Sequence, residues 1–199
     1  MIIFLTAVFF LVITPGPGVL SVAGVGSAFG YRPGLRYIAG LFVGNNLVAV
    51  LVVSGVAALV LSNPVLRTVL LGASVAYLLY LAVRIAFSGT RIAFIDKADP
   101  PGFIGGLILQ PINPKAYAVN TTLFSGFPFA PDNLVLETVL KFVLLNAIWV
   151  PVHLLWLAAG ITLRRLDLPE SAHLAINVVM ALSMLAVVAL ATYANAMGR

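Results

Sequence analysis

The sequence predicts an all-α polytopic membrane protein with six transmembrane helices, arranged as two inverted three-helix repeats in which helices 1 and 4 are broken. The first observation is composition: 62% of the 199 residues are hydrophobic and only 9% are charged, whereas soluble domains carry about 25% charged residues. The second is length, because a span takes about 20 apolar residues and the chain therefore holds six spans and short loops. The third is a pair of proline interruptions half a chain apart.

The six predicted spans are delimited by charges and turn residues. They cover residues 2–23, 35–61, 65–87, 102–126, 134–163 and 172–193. Asn63 and Pro64 predict a tight turn between the second and third spans, and the proline-rich stretch 127–133 follows the fourth, since prolines punctuate turns. No length is left for a soluble domain, so residues 1–199 are expected to form a single membrane transport domain.

Prolines interrupt the first and fourth spans where a helix would otherwise continue. The two segments are Thr14-Pro15-Gly16-Pro17-Gly18 and Gln110-Pro111-Ile112-Asn113-Pro114-Lys115. Proline lacks an N–H and clashes with the carbonyl four residues earlier. We therefore expect free carbonyls at Leu11 and Ile13 in the first span, and at Leu107 and Gln110 in the fourth. Lipid cannot bond such groups, and matching interruptions in two halves indicate a transporter's binding site.

The spacing of these interruptions predicts an internal repeat. Pro114 follows Pro15 after half of the chain, and three spans per half give the halves opposite orientations in the membrane, which is the inverted-repeat pattern. Residues 1–99 are expected to form the first repeat and residues 100–199 the second. The same offset relates Asn45 and Asn46 of the second span to Asn146 of the fifth.

The basic residues predict the orientation. Successive loops lie on alternate sides, so one side collects Arg32, Arg36, Arg84, Arg91, Lys97, Arg164 and Arg165, and the other collects Arg67, Lys141 and Arg199. The positive-inside rule makes the first side cytoplasmic, which predicts both termini outside and the polar loop 88–101 in the cytoplasm. The basic residues form no patch, so a nucleic acid is not expected as a partner.

Lys115 is the basic residue that falls near a membrane midplane, where a charge costs about 2.5–3.5 kcal/mol. It follows Pro114 at the start of a half-helix, whose positive dipole end repels an ammonium group. The six acidic residues all lie in loops or near the outer side, so a freed carbonyl or a bound carboxylate is the expected partner. In the alternative, Lys115 extends towards the membrane surface or is neutral.

The predicted substrate-binding residues surround the two interruptions or carry amides within the spans. They are Thr14, Pro15, Gly16, Pro17, Asn45, Asn46, Asn113, Pro114, Lys115 and Asn146. Unwound carbonyls suit a ligand ammonium, Lys115 suits a carboxylate, and amides bind either end of a zwitterion. The alternatives are a simple kink at the prolines and hydrogen bonding between helices at the amides.

His153 in the fifth span is the candidate proton-coupling residue, because an imidazole titrates near neutral pH. A core histidine bonded to a carbonyl is the alternative. The sequence lacks the G-x-S-x-G, H-E-x-x-H and Walker motifs, cysteines, and paired carboxylates within the spans, so we expect neither an enzyme, nor a cofactor, nor a metal site. Gly40-x-x-x-Gly44 permits close helix packing within one chain or in a homodimer.

Several segments resemble, in order, those of the LysE/RhtB family of bacterial amino-acid exporters. They are Thr14-Pro15-Gly16-Pro17 in the first span, Gly30-x-Arg32-x-Gly34 with Gly40 and Gly44 around the second, Gly72-Ala73 with Tyr77-Leu78 in the third, and Asn113-Pro114-Lys115-Ala116 in the fourth. The chain departs from the family at Gln110-Pro111, where Asn-Leu is frequent, and in the residues that follow Lys115, which lack the usual paired phenylalanines.

The resemblance implies a multi-pass secondary exporter in the bacterial inner membrane that moves amino acids or related small metabolites outward by proton antiport. The absence of an acidic residue from the interior of the spans disfavours a site for a dibasic side chain, so a neutral amino acid is the predicted substrate. Two alternatives are a small-ion or metal exporter or channel, which would need polar rings or a carboxylate cluster, and a non-transporting membrane scaffold, which needs no binding site.

Overall fold

The computed structural model describes residues 1–86 and 99–165, with a few further residues between 171 and 182. Over the two long ranges it contains eight helices and no strand. The helices are α1 (Ile2–Ile13), α2 (Pro17–Phe29), α3 (Tyr31–Val53), α4 (Val56–Ser62), α5 (Pro64–Ala86), α6 (Gly102–Ile112), α7 (Pro114–Gly126) and α8 (Leu134–Arg165). The predicted all-α fold is therefore confirmed.

Three of the described helices are long and apolar enough to cross a membrane by themselves: Tyr31–Val53, Pro64–Leu81 and Leu134–Leu163. The pair α1 and α2 makes a fourth crossing if it is taken as one span bent by 51°. Helices α6 and α7 together cover the predicted fourth span. With 11 and 13 residues, each is too short to cross a membrane alone. Most of the predicted sixth span, 172–193, lies outside the described residues.

Both predicted interruptions break their helices. The first lies between α1 and α2, where Gly16 is extended with φ −172° and ψ 176°. The second is the single residue Asn113 between α6 and α7, which is also extended. Pro17 and Pro114 each open the following helix, a position where the missing N–H removes no helical bond.

Pro111 behaves differently from the other three prolines of the interruptions. It lies inside α6, and the chain leaves the helix only two residues later. The carbonyl of Gln110, which lies four residues before Pro114, accepts a hydrogen bond of 3.1 Å from the backbone N–H of Asn113. The expectation of a free carbonyl at Gln110 is therefore wrong, because the tight turn before Pro114 supplies a donor that regular helix geometry would not.

The predicted second span contains a further break that the sequence analysis missed. Helix α3 ends at Val53, and Gly55 has φ +78°, a left-handed conformation that glycine adopts without strain. Helix α4 then leads to Asn63, whose side-chain oxygen accepts bonds of 2.9 and 3.2 Å from the N–H groups of Val65 and Leu66. Asn63 thus caps α5, and the turn expected at Asn63-Pro64 is present.

Glycines bring two pairs of helices into backbone contact. A Cβ atom on Gly40 of α3 would collide with the carbonyl oxygen of Phe103 in α6, and one on Gly106 of α6 would collide with that of Tyr37 in α3. In the same way, a Cβ on Gly160 of α8 would collide with the carbonyl oxygen of Ala23 in α2. Helices α3 and α8 therefore each lie against a broken helix from the other half of the chain.

We expect Gly40→Ala to destabilise the protein, because the added methyl group meets backbone atoms that cannot rotate away. Overpacking of this kind costs about 1–3 kcal/mol. Thermal unfolding in detergent, followed by the fluorescence of Trp149 and Trp156, should show a lower midpoint. The matched control is Gly72→Ala in α5, where a Cβ has no neighbour within 4 Å and the midpoint should not fall. Equal midpoints for the two variants would contradict the close packing.

Candidate functional site

A pocket lies where the two broken helices meet α3 and α8. Its polar lining consists of Asn45, Gln110, Asn113, Lys115 and His153, and its apolar lining includes Leu11, Val12, Val19, Val119, Leu145 and Trp149. The space between these walls is about 420 Å³, including the part that is open to the surroundings. The lining combines polar and apolar side chains, which suits a small ligand that carries groups of both kinds.

Lys115 joins the two interruptions directly. Its Nζ donates a hydrogen bond to the backbone carbonyl of Thr14, the residue at which the first broken helix ends. Its aliphatic stem passes close to Gly16, where a Cβ would lie 2.6 Å from the Lys115 Cδ. The partner of the ammonium group is thus a backbone carbonyl of the first interruption, as one of the two expectations had it, but Thr14 is not among the four residues whose carbonyls the prolines were expected to free.

Asn113 fixes the second interruption. Its side-chain oxygen accepts a hydrogen bond of 3.1 Å from the backbone N–H of Lys115, which caps the start of α7. Its amide nitrogen donates to the side-chain oxygen of Gln110 at 3.4 Å. Asn113 and Gln110 are both buried, so this pair holds the end of α6 against the start of α7 and orients the Gln110 amide.

Asn45 lines the pocket and contacts a residue that the sequence analysis missed. The amide nitrogen of Asn120 donates to the side-chain oxygen of Asn45 at 3.2 Å and to the carbonyl of Ala116 at 2.8 Å. This leaves the buried amide nitrogen of Asn45 and the buried side-chain oxygen of Asn120 without protein partners. Groups of this kind are the ones that a water or a ligand satisfies. Asn120 lies one helical turn after Ala116 of the predicted fourth-span segment, and this spacing was the sequence signal that could have identified it.

Asn46 and Asn146 lie outside the pocket wall and bond to each other. Asn46 donates to the side-chain oxygen of Asn146 at 3.1 Å, and Asn146 donates to that of Asn46 at 2.8 Å. Their positions are 100 residues apart, one more than the 99 residues between Pro15 and Pro114. The structure therefore uses these two predicted ligand residues to connect α3 with α8, as the alternative for the amides allowed.

His153, the predicted proton-coupling residue, lies in the pocket wall with only 3% of its surface exposed. Its Nδ1 is 2.8 Å from the carbonyl oxygen of Trp149, and its ring stacks on the Trp149 ring with centroids 3.5 Å apart and an interplanar angle of 17°. The other ring nitrogen, Nε2, lies 3.7 Å from the position that a Cβ on Gly18 would occupy. The imidazole therefore faces the first interruption.

A second polar cluster lies away from the pocket, around the start of α8. Glu137 and Lys141 form a buried ion pair of 2.8 Å. The Glu137 carboxylate also accepts bonds from the N–H groups of Phe129 and Ala130 at 3.0 and 2.6 Å, and Lys141 donates to the carbonyl of Phe124 at 3.0 Å. Lys141, counted above among the loop charges, is therefore an interior residue that holds the end of α7 and the following loop against α8.

Similar sequences are known over most of this chain. The sequence model of the LysE type translocator family matches residues 9–195. Leucine efflux proteins of Enterobacter sp. strain 638, Salmonella typhimurium strain LT2 and Klebsiella pneumoniae are each 31% identical over 129 residues. These alignments cover 62% of this chain and 61% of each relative, so the match spans less than two thirds of their length. No solved structure matches.

The pair of Asn46 and Asn146 predicts a strong coupling between two substitutions. Asn46→Ala and Asn146→Ala each remove both reciprocal bonds, so the double variant should be little less stable than either single variant. Interhelical bonds of this kind contribute about 0.6–1.7 kcal/mol in membranes, and the interaction energy of the double-mutant cycle should fall in that range. Unfolding in mixed detergent measures it. Additive effects would show that the two amides act independently.

Proposed function

Because the chain belongs to the LysE type translocator family, we propose that it is a secondary exporter of neutral amino acids with aliphatic side chains, located in the bacterial inner membrane and driven by the proton gradient. The observation that carries the proposal is the pocket between the two broken helices, which is lined by Lys115 and other polar side chains together with apolar ones. Matching helix breaks near the midplane are where transporters of this kind bind their substrates.

The polar lining of the pocket fits the charged groups of an amino acid. The Lys115 ammonium has three donor hydrogens, so it can bind the substrate carboxylate and keep its bond to the Thr14 carbonyl. The unwound backbone between α1 and α2 supplies carbonyl oxygens for the ammonium group. The Asn45 side chain also contributes to the polar lining of the pocket. A zwitterion thus finds both signs of partner within one site.

The apolar walls support a neutral, aliphatic side chain. Leu11, Val12 and Leu145 face the pocket, and none of its lining residues is a carboxylate. A dibasic side chain would bring a further cation near Lys115 with no acidic group to offset the repulsion. Leucine efflux by the relatives is consistent with this preference and is the reason to choose leucine as the first substrate.

The paired helix breaks support an inverted repeat of residues 1–99 and 100–199. An element that lies near a two-fold axis meets its own counterpart, and Asn46 and Asn146 exchange equivalent hydrogen bonds in this way. In the proposed mechanism, one half rocks against the other around the pocket and opens it to alternate sides. The excess of basic residues in alternate loops supports an orientation with both termini outside.

We expect proteoliposomes loaded with leucine to release it under an imposed proton gradient, and Lys115→Ala to slow this efflux at least tenfold. A hydrogen bond to a charged group contributes about 1.5–3 kcal/mol, and about 1.4 kcal/mol is a factor of ten. The matched control is Arg36→Ala, which removes an exposed cation outside the pocket and should leave the efflux rate unchanged.

Three outcomes of that experiment contradict parts of the proposal. Equal rates for the native protein and Lys115→Ala would remove Lys115 from the site. Export of lysine without export of leucine would contradict the neutral preference. A failure of the native protein to move any amino acid would contradict the exporter function and favour a membrane scaffold.

A further inference from the structure

Two contacts fix the imidazole of His153 in one orientation and one tautomer. The carbonyl oxygen of Trp149, 2.8 Å from Nδ1, can only accept a hydrogen bond, so Nδ1 carries the proton. In a neutral ring the other nitrogen, Nε2, is then an acceptor. The stacked Trp149 ring prevents rotation about the side chain. His153 therefore presents a lone pair to whatever lies beside Nε2.

The space beside Nε2 is the gap over Gly18. A Cβ on Gly18 would lie 3.7 Å from the His153 Nε2 and 3.6 Å from the Gln110 Nε2. Glycine has no Cβ, so the pocket extends between these two nitrogen atoms. The Gln110 nitrogen is a donor, and its side-chain oxygen already accepts from Asn113. Of the two side chains at this gap, His153 supplies the acceptor.

The Lys115 ammonium lies at the other end of the same short segment. Its Nζ is 3.0 Å from the position of a Cβ on Gly16, two residues before Gly18. Two residues span at most about 7 Å, so the Lys115 Nζ and the His153 Nε2 lie beside two glycines that are close together in the wall of one pocket. A cation at one end and a lone pair at the other match the carboxylate and the ammonium of an α-amino acid.

The ammonium group of the substrate needs an acceptor that is not already bonded to Lys115. The carbonyl of Thr14 is bonded to the Lys115 Nζ, and a second cation at that oxygen would be repelled. None of the residues that line the pocket is a carboxylate, and Lys115 is the charged side chain among them that faces His153. We infer that the neutral Nε2 of His153 accepts a hydrogen bond from the substrate ammonium over Gly18, which makes His153 the residue that selects amines.

This inference rests on the proposed function and differs from a proton-carrying role for His153. If Nε2 binds the ammonium, the imidazole stays neutral while the substrate is bound, and His153 contributes to affinity for the amino group. If His153 carries the driving proton, its loss should abolish the effect of the gradient and spare the binding of substrate. The two roles therefore predict different defects when His153 is replaced: weaker substrate binding in the first case, and efflux that no longer responds to the proton gradient in the second.

We expect His153→Phe to weaken leucine binding about 10- to 100-fold and to change the binding of 4-methylpentanoate less than about threefold. This analogue keeps the carboxylate and the side chain of leucine but has a hydrogen atom in place of the amine, so it has no donor for Nε2. Phenylalanine retains the ring that stacks on Trp149 and removes Nε2. Isothermal titration of the detergent-solubilised protein gives both affinities. Lys115→Ala is the reference variant, and it should weaken both ligands to a similar extent.

Each other result overturns the inference in a distinct way. Equal weakening of both ligands by His153→Phe would mean that the ring only shapes the pocket. Unchanged leucine binding together with efflux that no longer responds to the proton gradient would assign His153 to proton transfer. If the native protein binds neither leucine nor the analogue, the proposed function itself fails, whereas native binding of leucine with no preference over the analogue rejects only the role of His153.

Gly18→Ala tests the same site without altering His153. The added methyl group would make ordinary contacts of 3.6 and 3.7 Å, so the unfolding midpoint should not fall. The methyl group fills the gap between the His153 and Gln110 nitrogen atoms, so leucine binding should weaken at least tenfold. Gly72→Ala, with no neighbour within 4 Å of its Cβ, should bind leucine like the native protein. Native affinity in Gly18→Ala would show that the ammonium does not lie over Gly18.

Discussion

The bond between the Lys115 ammonium and the Thr14 carbonyl is the interaction on which the centre of this protein depends. A helix that breaks inside a membrane exposes backbone groups that lipid cannot bond, and a lysine within a membrane span is costly unless it has a partner. The first interruption supplies a carbonyl oxygen as acceptor, and the second supplies the ammonium group that donates to it. Asn113 completes the arrangement by capping the backbone N–H of Lys115, so both helix breaks end on protein groups.

The glycine contacts place this centre between the two halves of the chain. Helix α3 lies against α6, and α8 lies against α2, at distances that only glycine allows at Gly40, Gly106 and Gly160. The pocket walls therefore come from both halves, with Gly16 and Gly18 on one side and Lys115 on the other. Any movement of α2 relative to α7 changes the distance between these walls, and so changes the pocket itself.

The sequence predicted where the helices break more accurately than which way the side chains face. Pro15, Pro17 and Pro114 mark real interruptions because the missing N–H acts locally. Pro111 instead lies inside α6, and the carbonyl of Gln110, which Pro114 was expected to free, accepts a bond from Asn113. Asn45 and Asn46 are neighbours in sequence, yet one faces the pocket and the other bonds to Asn146, a difference set by helix rotation that composition does not encode.

Two features were missed in the sequence. Asn120 was missed because its role depends on the approach of α3 to α7. The ion pair of Glu137 and Lys141 was missed because charges near a helix end usually indicate a loop.

Helix α8 has 32 residues and is therefore about 48 Å long, whereas the hydrocarbon core of a bilayer is about 30 Å thick. The helix must tilt, project from the membrane, or do both. At its start, Lys141 holds the carbonyl of Phe124 in α7, and α7 carries Lys115 at its other end. A change in membrane thickness that alters the tilt of α8 therefore acts on α7 as well. The lipid composition of the host membrane is thus mechanically connected to the lysine at the centre of the protein.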